Sequence, residues 1–315
     1  MNVLNQENGK NFTAYNADCV DVVSSLPDNS IGFSVFSPPF ASLYTYSDSS
    51  RDMGNVKDDA EFFEQFDFLV KELYRVIKDG RIVAFHCMNL PTTKERDGFI
   101  GMKDFRGDLI RAFQKHGFIF HSETCIWKDP LIAATRTKAV GLLHKQLCKD
   151  SSVSRAGIPD YLIAMKKRGE NAEPIAHENG ILDFVGENPP TKGVLSHQIW
   201  RRYASPVWMD IDQTKTLQYA TARDNDDERH ICPLQLQVIE RALQLWSNPN
   251  DVVLSPFMGI GSEGYESLRA KRKFIGVELK TSYYNLAIRN LHDAENLAEE
   301  NDLFGEIGEA KCIHE

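Results

Sequence analysis

The stretch Ile31-Gly-Phe-Ser-Val-Phe36-Ser37-Pro38-Pro39-Phe40 decides how the rest of the chain is read. Its first six residues form a short apolar, β-rich run. Two prolines then end it, because proline fixes φ and removes a backbone donor. The strand therefore closes in a rigid turn that carries a hydroxyl and an aromatic ring. That combination suits a planar amine such as the exocyclic nitrogen of cytosine or adenine, a poor nucleophile because its lone pair is delocalised into the ring. Ser37 Oγ and the Pro38 carbonyl can accept hydrogen bonds from such an NH2 group, and Phe40 can stack on the base. Ser-Pro-Pro turns also occur in ordinary loops, so the weight falls on what accompanies this one.

Far downstream, Asp251-Val-Val-Leu-Ser255-Pro-Phe257-Met-Gly259-Ile-Gly261-Ser262-Glu-Gly264 reads as a strand, a glycine turn and a helix start. Glycines let the backbone approach a ligand closely, and a helix beginning near Ser262 offers unpaired N–H groups to a carboxylate. A second strand, Lys273-Phe-Ile-Gly-Val277, ends in Glu278. That acid falls roughly twenty residues after the glycines, where Rossmann-like folds keep one for ribose hydroxyls. A tight strand-to-helix turn followed by a surface glutamate is the plainer alternative.

Taken together, these segments resemble the amino-methyltransferases of DNA, S-adenosylmethionine-dependent enzymes that modify cytosine N4 or adenine N6. The order of motifs, Ser37–Phe40 before Phe257-x-Gly259-x-Gly261, matches the permuted β group of that family. Three further stretches match: Asn16-Ala-Asp18 through Leu26-Pro-Asp-Asn-Ser30, Asp52-Met-Gly54-Asn, and His230-Ile-Cys-Pro233-Leu. The resemblance implies a circularly permuted Rossmann-like α/β fold and a base flipped out of double-stranded DNA. It implies Ser37, Pro38, Pro39 and Phe40 as the catalytic turn. Asp18, His230, Ser255, Phe257, Gly259, Gly261, Ser262 and Glu278 would surround the S-adenosylmethionine, its adenine lying near Phe257 and Asp18. Serine at the head of the Pro-Pro motif accompanies cytosine N4 more than adenine N6, which makes cytosine the first choice and adenine the alternative. A catalytically inactive DNA- or cofactor-binding relative and an RNA substrate are disfavoured by the intact motifs and by their order. A partner restriction nuclease is compatible with the family, and the oligomeric state is not indicated. One departure stands out: Ser255 occupies a position where the family usually has aspartate, so the methionine ammonium would meet an uncharged acceptor.

Composition agrees with a globular enzyme: 315 residues, 42% hydrophobic and 26% charged, enough for one large core. No apolar run approaches the roughly twenty residues of a membrane-spanning helix. The polar start lacks the regions of a secretory signal. Six cysteines without Cys-x-x-Cys pairing argue against zinc and disulfides and for reduced thiols in a cytoplasmic chain; the resemblance implies a bacterial or phage-encoded protein.

The formal net charge of −9 is unfavourable for a polyanion, yet Lys128 to Arg168 holds nine cations against three acids. A local patch suffices for phosphates. Arg136, Lys138 and Lys145 are the candidates there, with a merely solvated basic face as the alternative. Trp200-Arg201-Arg202-Tyr203 through Trp208 alternates aromatics and arginines as base-contacting surfaces do. Anchoring of this segment to the core is an equally weighted reading of Trp200, Tyr203 and Trp208.

Alternating β-rich and helical periodicities predict strands over Ile31–Phe36, Arg81–His86, Phe118–Trp127, Tyr161–Met165, Val252–Leu254 and Phe274–Val277. Helices are expected over Glu61–Ile77, Phe105–His116, Leu234–Trp246, Ser262–Ala270 and Ser282–Glu300. Such alternation implies a mostly parallel sheet with helices on both faces. The expected division is a catalytic half over residues 1–129, a target-recognition insert over 130–227, a cofactor half over 228–301 and a short peripheral tail over 302–315.

Overall fold

The computed structural model describes residues 3–40, 59–92, 94–137, 140–177, 180–181, 192–218 and 233–312, with the side chains of 59, 96, 136–137, 140, 192–196 and 300–312 left aside. Its strands are β1 Val3–Asn8, β2 Phe12–Ala17, β3 Ile31–Phe36, β4 Ile77–Met88, β5 Leu90–Pro91, β6 Met102–Lys103, β7 Ile119–Ile126, β8 Asp160–Lys166, β9 Val207–Trp208, β10 Val252–Ser255 and β11 Lys273–Glu278. The helices are α1 Cys19–Ser25, α2 Asp59–Val76, α3 Lys94–Asp97, α4 Phe105–Lys115, α5 Pro130–Thr137, α6 His144–Lys149, α7 Lys192–Tyr203, α8 Leu236–Trp246, α9 Ser262–Arg269 and α10 Thr281–Cys312.

Nine of these strands form one sheet in the order β1-β2-β11-β10-β3-β4-β8-β7-β9. The five from β2 to β4 are mutually parallel, while β8 runs antiparallel to both β4 and β7. Parallel strands must be covered on both faces, and β3 is buried at every residue. On one face α1, α2 and α4 supply Val22, Phe62, Phe66, Leu69, Leu109 and Phe113. On the other, α8, α9 and α10 supply Val238, Ile239, Leu268, Tyr284 and Leu291. The sequence dictates α2 directly, since Phe62, Phe66, Leu69, Val70 and Leu73 recur at helical spacing and are all fully buried.

The chain is permuted relative to the sheet: β10 and β11, near the end of the sequence, lie between β2 and β3 from its beginning. Phe274–Glu278 pairs with Phe12–Asn16, and Val253 pairs with Phe33. The carboxyl ends of β10, β11, β3 and β4 therefore share one edge, where ligands bind open α/β sheets.

At the opposite edge, buried Arg81 pairs with Asp251 and donates from Nε to the Gly32 carbonyl at 2.9 Å, tying the starts of β4, β10 and β3 together. Lys167 is also buried there, bonded to Asn29 Oδ1 at 2.7 Å and the Ile77 carbonyl at 2.8 Å.

Two expectations change. Residues 160–166 and 207–208 belong to the main sheet, so the interval 130–227 is not one excursion from it. Its part from Lys167 to Glu173 packs at the edge remote from the glycine turn, where Glu173 accepts from Arg81 and Lys78. The second change concerns the tail, whose backbone continues α10 as far as Cys312. Among the described residues no helix is long and apolar enough to cross a membrane.

Candidate active site

Ser37 follows the last residue of β3, and β3 is hydrogen-bonded directly to β10. The two motifs thus meet across one strand ladder. Phe36 and Phe257 pack with ring centroids 5.7 Å apart, closing the gap between the Ser37–Phe40 turn and the glycine turn. Pro38 is buried, whereas Ser37, Pro39 and Phe40 are half-buried. Phe40 meets Phe105 edge-on at 6.4 Å, and Phe105 is fixed against Phe62 and Phe63. The ring proposed to stack on a base is therefore held from behind by the core.

The glycine turn is built for a ligand. Gly259 and Gly261 have φ of 53° and 90°, values that β-carbons disfavour. A Cβ on Gly259 would point into open space, whereas one on Gly261 would meet Ala287 Cβ at 3.2 Å. Gly259 thus lines the cradle; Gly261 lets α9 pack against α10. Gly259 N donates to Glu278 Oε2 at 2.9 Å, and Lys280 N donates to Glu278 Oε1 at 2.8 Å. A carboxylate offers about four acceptor positions, so serving this turn does not exclude a ribose hydroxyl.

The hydroxyls of Ser255 and Ser262 flank the same turn, and both are buried with no hydrogen-bond partner among the described residues. Buried polar atoms are almost always paired. An open cradle at Gly259, two orphaned hydroxyls and the helix start at Ser262 fit S-adenosylmethionine, whose methionine end brings both donors and acceptors. Asp18 is half-buried at the end of β2, where Oδ1 caps α1 by accepting from Val20 N at 2.8 Å. Buried Asn16 donates to the Glu278 and Leu279 carbonyls at 2.8 and 2.9 Å, holding the β2 and β11 ends in register. His230 lies outside the described residues, as does the Asp52–Asn55 stretch. Glu263, in the first turn of α9, is pushed up to about 8 by burial, with the charge of Glu278 adding to the effect.

Three residues not anticipated from the sequence as site residues stand in line behind Ser37. Ser37 Oγ lies 3.1 Å from His86 Nδ1. On the far side of the ring, His86 Nε2 lies 3.1 Å from Asp160 Oδ2, and Lys128 Nζ lies 2.5 Å from Asp160 Oδ1. Both approaches to Asp160 depart from ideal hydrogen-bond geometry; that of Lys128 is an ion pair, and His86 Nε2 faces the carboxylate. Burial pushes the Asp160 carboxyl up, but His86 and Lys128 outweigh it and hold the group below the usual carboxylate value. Their sequence signal was slight: His86 and Asp160 are polar residues near the ends of mostly buried strands, and Lys128 follows β7 by two residues.

The expected DNA-binding residues divide. Lys145 on α6 and Arg201 on α7 are exposed. Lys138 and the side chain of Arg136 lie outside what is described. Trp208 is 1% exposed, its Nε1 bonded to the Tyr203 carbonyl at 3.2 Å; direct base contact by this ring is corrected to a role in anchoring β9. Arg202 pairs with Asp210, which Arg241 also binds, and Arg241 packs over the Tyr203 and Trp208 rings. Burial raises the Asp210 carboxyl, but hydrogen bonds from Arg241 and Arg202 prevail and lower it to about 2. Trp200 is the exposed aromatic of the segment.

A family model described as DNA methylase, covering N6 and N4 methyltransferases, matches residues 31–289. The Type II methyltransferase M.BglII of Bacillus subtilis is 23% identical over 279 residues, covering 88% of this chain and 68% of the relative. The DNA adenine methyltransferase YhdJ of Escherichia coli is 33% identical over 123 residues, 39% of this chain and 37% of that protein. The solved PvuII DNA methyltransferase, cytosine-N4-specific, shares the fold with a TM-score of 0.63 at 15% identity, covering 94% of this chain and 96% of that one. With the motifs, the sheet order and the cradle in agreement, the chain belongs to the N6/N4 DNA methylase family, and S-adenosylmethionine is its methyl donor.

Proposed function

We propose that the protein methylates the exocyclic amine of a base flipped out of double-stranded DNA, with N4 of cytosine as the target. The observation that carries this reading is the adjacency of Ser37-Pro38-Pro39-Phe40 at the end of β3 to the Gly259 cradle beyond the end of β10, on strands that share a ladder. The cofactor supplies an electrophilic methyl group on a sulfonium. The protein's part is to hold the amine in line with it: Ser37 Oγ and the Pro38 carbonyl accept the two N–H groups, and Phe40 stacks on the ring. Unstacking the base costs a few kcal/mol, which these contacts offset. Serine at the head of the turn supports cytosine. Local similarity to a protein named as an adenine methyltransferase supports N6 of adenine as the second reading.

By topology, residues 127–137 and 140–159 and β9 rim the same sheet edge as the catalytic turn. They offer Lys145 and, from α7, Arg201 to phosphates. The test is transfer of labelled methyl groups to duplex DNA, followed by nucleoside analysis. N4-methylcytosine is the expected product; N6-methyladenine would replace the first reading with the second, and no transfer would end both.

A further inference from the structure

We propose that His86, held by Asp160 and Lys128, is the proton acceptor and positioning residue behind Ser37, an inference that rests on the amine-methylation reading. Strand register brings the group together. His86 and Asp160 lie on the same sheet face, Met88 of β4 being paired with Asp160 and His86 with Leu162 of β8. Ile126 of β7 pairs with Asp160 from the other side, bringing Lys128 within reach. Only the antiparallel placement of β8 brings its first residue to the carboxyl end of β4, so the chain Ser37–His86–Asp160–Lys128 is a product of the fold.

The order of protons along this chain is set by charge. Asp160 is buried yet ionised beside His86 and Lys128, so it only accepts. His86 Nε2 facing it carries the ring proton, which leaves Nδ1 of the neutral ring as an acceptor. The Ser37 hydroxyl 3.1 Å away then donates to Nδ1. With its hydrogen directed inward, Ser37 Oγ turns its lone pairs toward an incoming N–H. An unconstrained serine would present donor and acceptor equally, and a donor facing the amine lone pair would oppose attack.

The same line accounts for the proton that methylation must release. The nitrogen–carbon bond forms as the carbon–sulfur bond breaks, with the sulfur keeping the electron pair, and one N–H bond of the cationic product then breaks. That proton passes to Ser37 Oγ while the serine hydrogen moves to His86 Nδ1. Asp160 stabilises the resulting imidazolium, which returns its proton to water. Serine forms no covalent bond to substrate, although the geometry resembles that of hydrolytic triads.

The test uses the full-length protein with S-adenosylmethionine and duplex DNA in single turnovers. Wild-type protein that transfers no methyl group would sink the functional reading itself, an outcome distinct from failure of the His86 proposal. With an active wild type, His86→Ala should slow transfer by roughly 10- to 1,000-fold while leaving cofactor affinity by calorimetry within about twofold. Because His86 acts through Ser37, the double variant Ser37→Ala/His86→Ala should be no slower than Ser37→Ala alone. Multiplying losses would overturn the proposal. His86→Gln covers an alanine variant that fails to fold. It keeps an acceptor but cannot take up a proton, so transfer should be slowed in it as well; a wild-type rate would count against His86. The ring lies between Ser37 and Asp160, with Lys128 behind, and Asp160→Asn, which removes the anion facing Nε2, should likewise slow transfer. Nitrogen NMR of the cofactor-free protein should find the His86 proton on Nε2, and finding it on Nδ1 would overturn the mechanism independently of activity.

Discussion

Gly259 donates its backbone N–H to the Glu278 carboxylate at 2.9 Å, so the residue with open space at its Cβ position is tethered to the acid at the end of the next strand. Cradle and acid are one unit. Replacing Gly259 by alanine should put a methyl group where the ligand lies and weaken cofactor binding at least tenfold, with a strain cost of about 1 kcal/mol. Gly261→Ala presses on Ala287 and should lower the melting temperature more while obstructing the cofactor less. Calorimetry and thermal unfolding separate the two; equal binding losses with equal melting shifts would contradict this division.

Glu263 makes stability depend on pH. Its folded-state pKa of about 8 exceeds that of the unfolded chain, so the native state holds the extra proton between about pH 4.5 and 8. This contribution is full below about pH 4.5 and is lost as pH rises through 8. Glu263→Gln should flatten the decline, removing roughly 2 kcal/mol of the stability lost between pH 6 and pH 8. Denaturant titrations at pH 6 and pH 8 measure it, and an unchanged pH slope would be the contrary result.

DNA affinity should respond differently to cations that look equivalent in the sequence. Lys145→Ala and Arg201→Ala remove exposed charges, and each should reduce the slope of log affinity against log salt by about 0.9. Lys167→Met, at the remote sheet edge, should leave the slope unchanged and instead lower stability. Binding titrations between about 50 and 200 mM salt distinguish them.

The Arg81–Asp251 pair should matter to folding and not to chemistry. Asp251→Ala leaves the buried guanidinium uncompensated and should cost about 3–5 kcal/mol. Methyl transfer by the folded fraction should keep its rate, because the pair sits at the edge away from Ser37. A variant of native stability would show that the pair contributes little.

Much of the fold was legible because its central strands and helices have strong periods. The fully buried β3 and the phenylalanine stripe of α2 are examples. The β1–β2 hairpin went unread since β1 is an edge strand with only Val3 and Glu7 partly covered, which leaves no alternation to detect. The two site motifs were legible as local patterns. The chain His86–Asp160–Lys128 was not, because its members are neighbours only through the β4–β8–β7 register. Trp208 illustrates the opposite error: composition identifies an aromatic–arginine segment, but only packing against Arg241 shows which ring faces inward.

The pairing of β2 with β11 has a consequence for biosynthesis. A ribosome delivers Ser37 and its turn well before the strand that carries Glu278 and completes the sheet beside β2. Loop-closure entropy delays such distant pairings. A nascent chain therefore displays the Ser37–Phe40 turn before β11 is there to complete the cradle for a methyl donor.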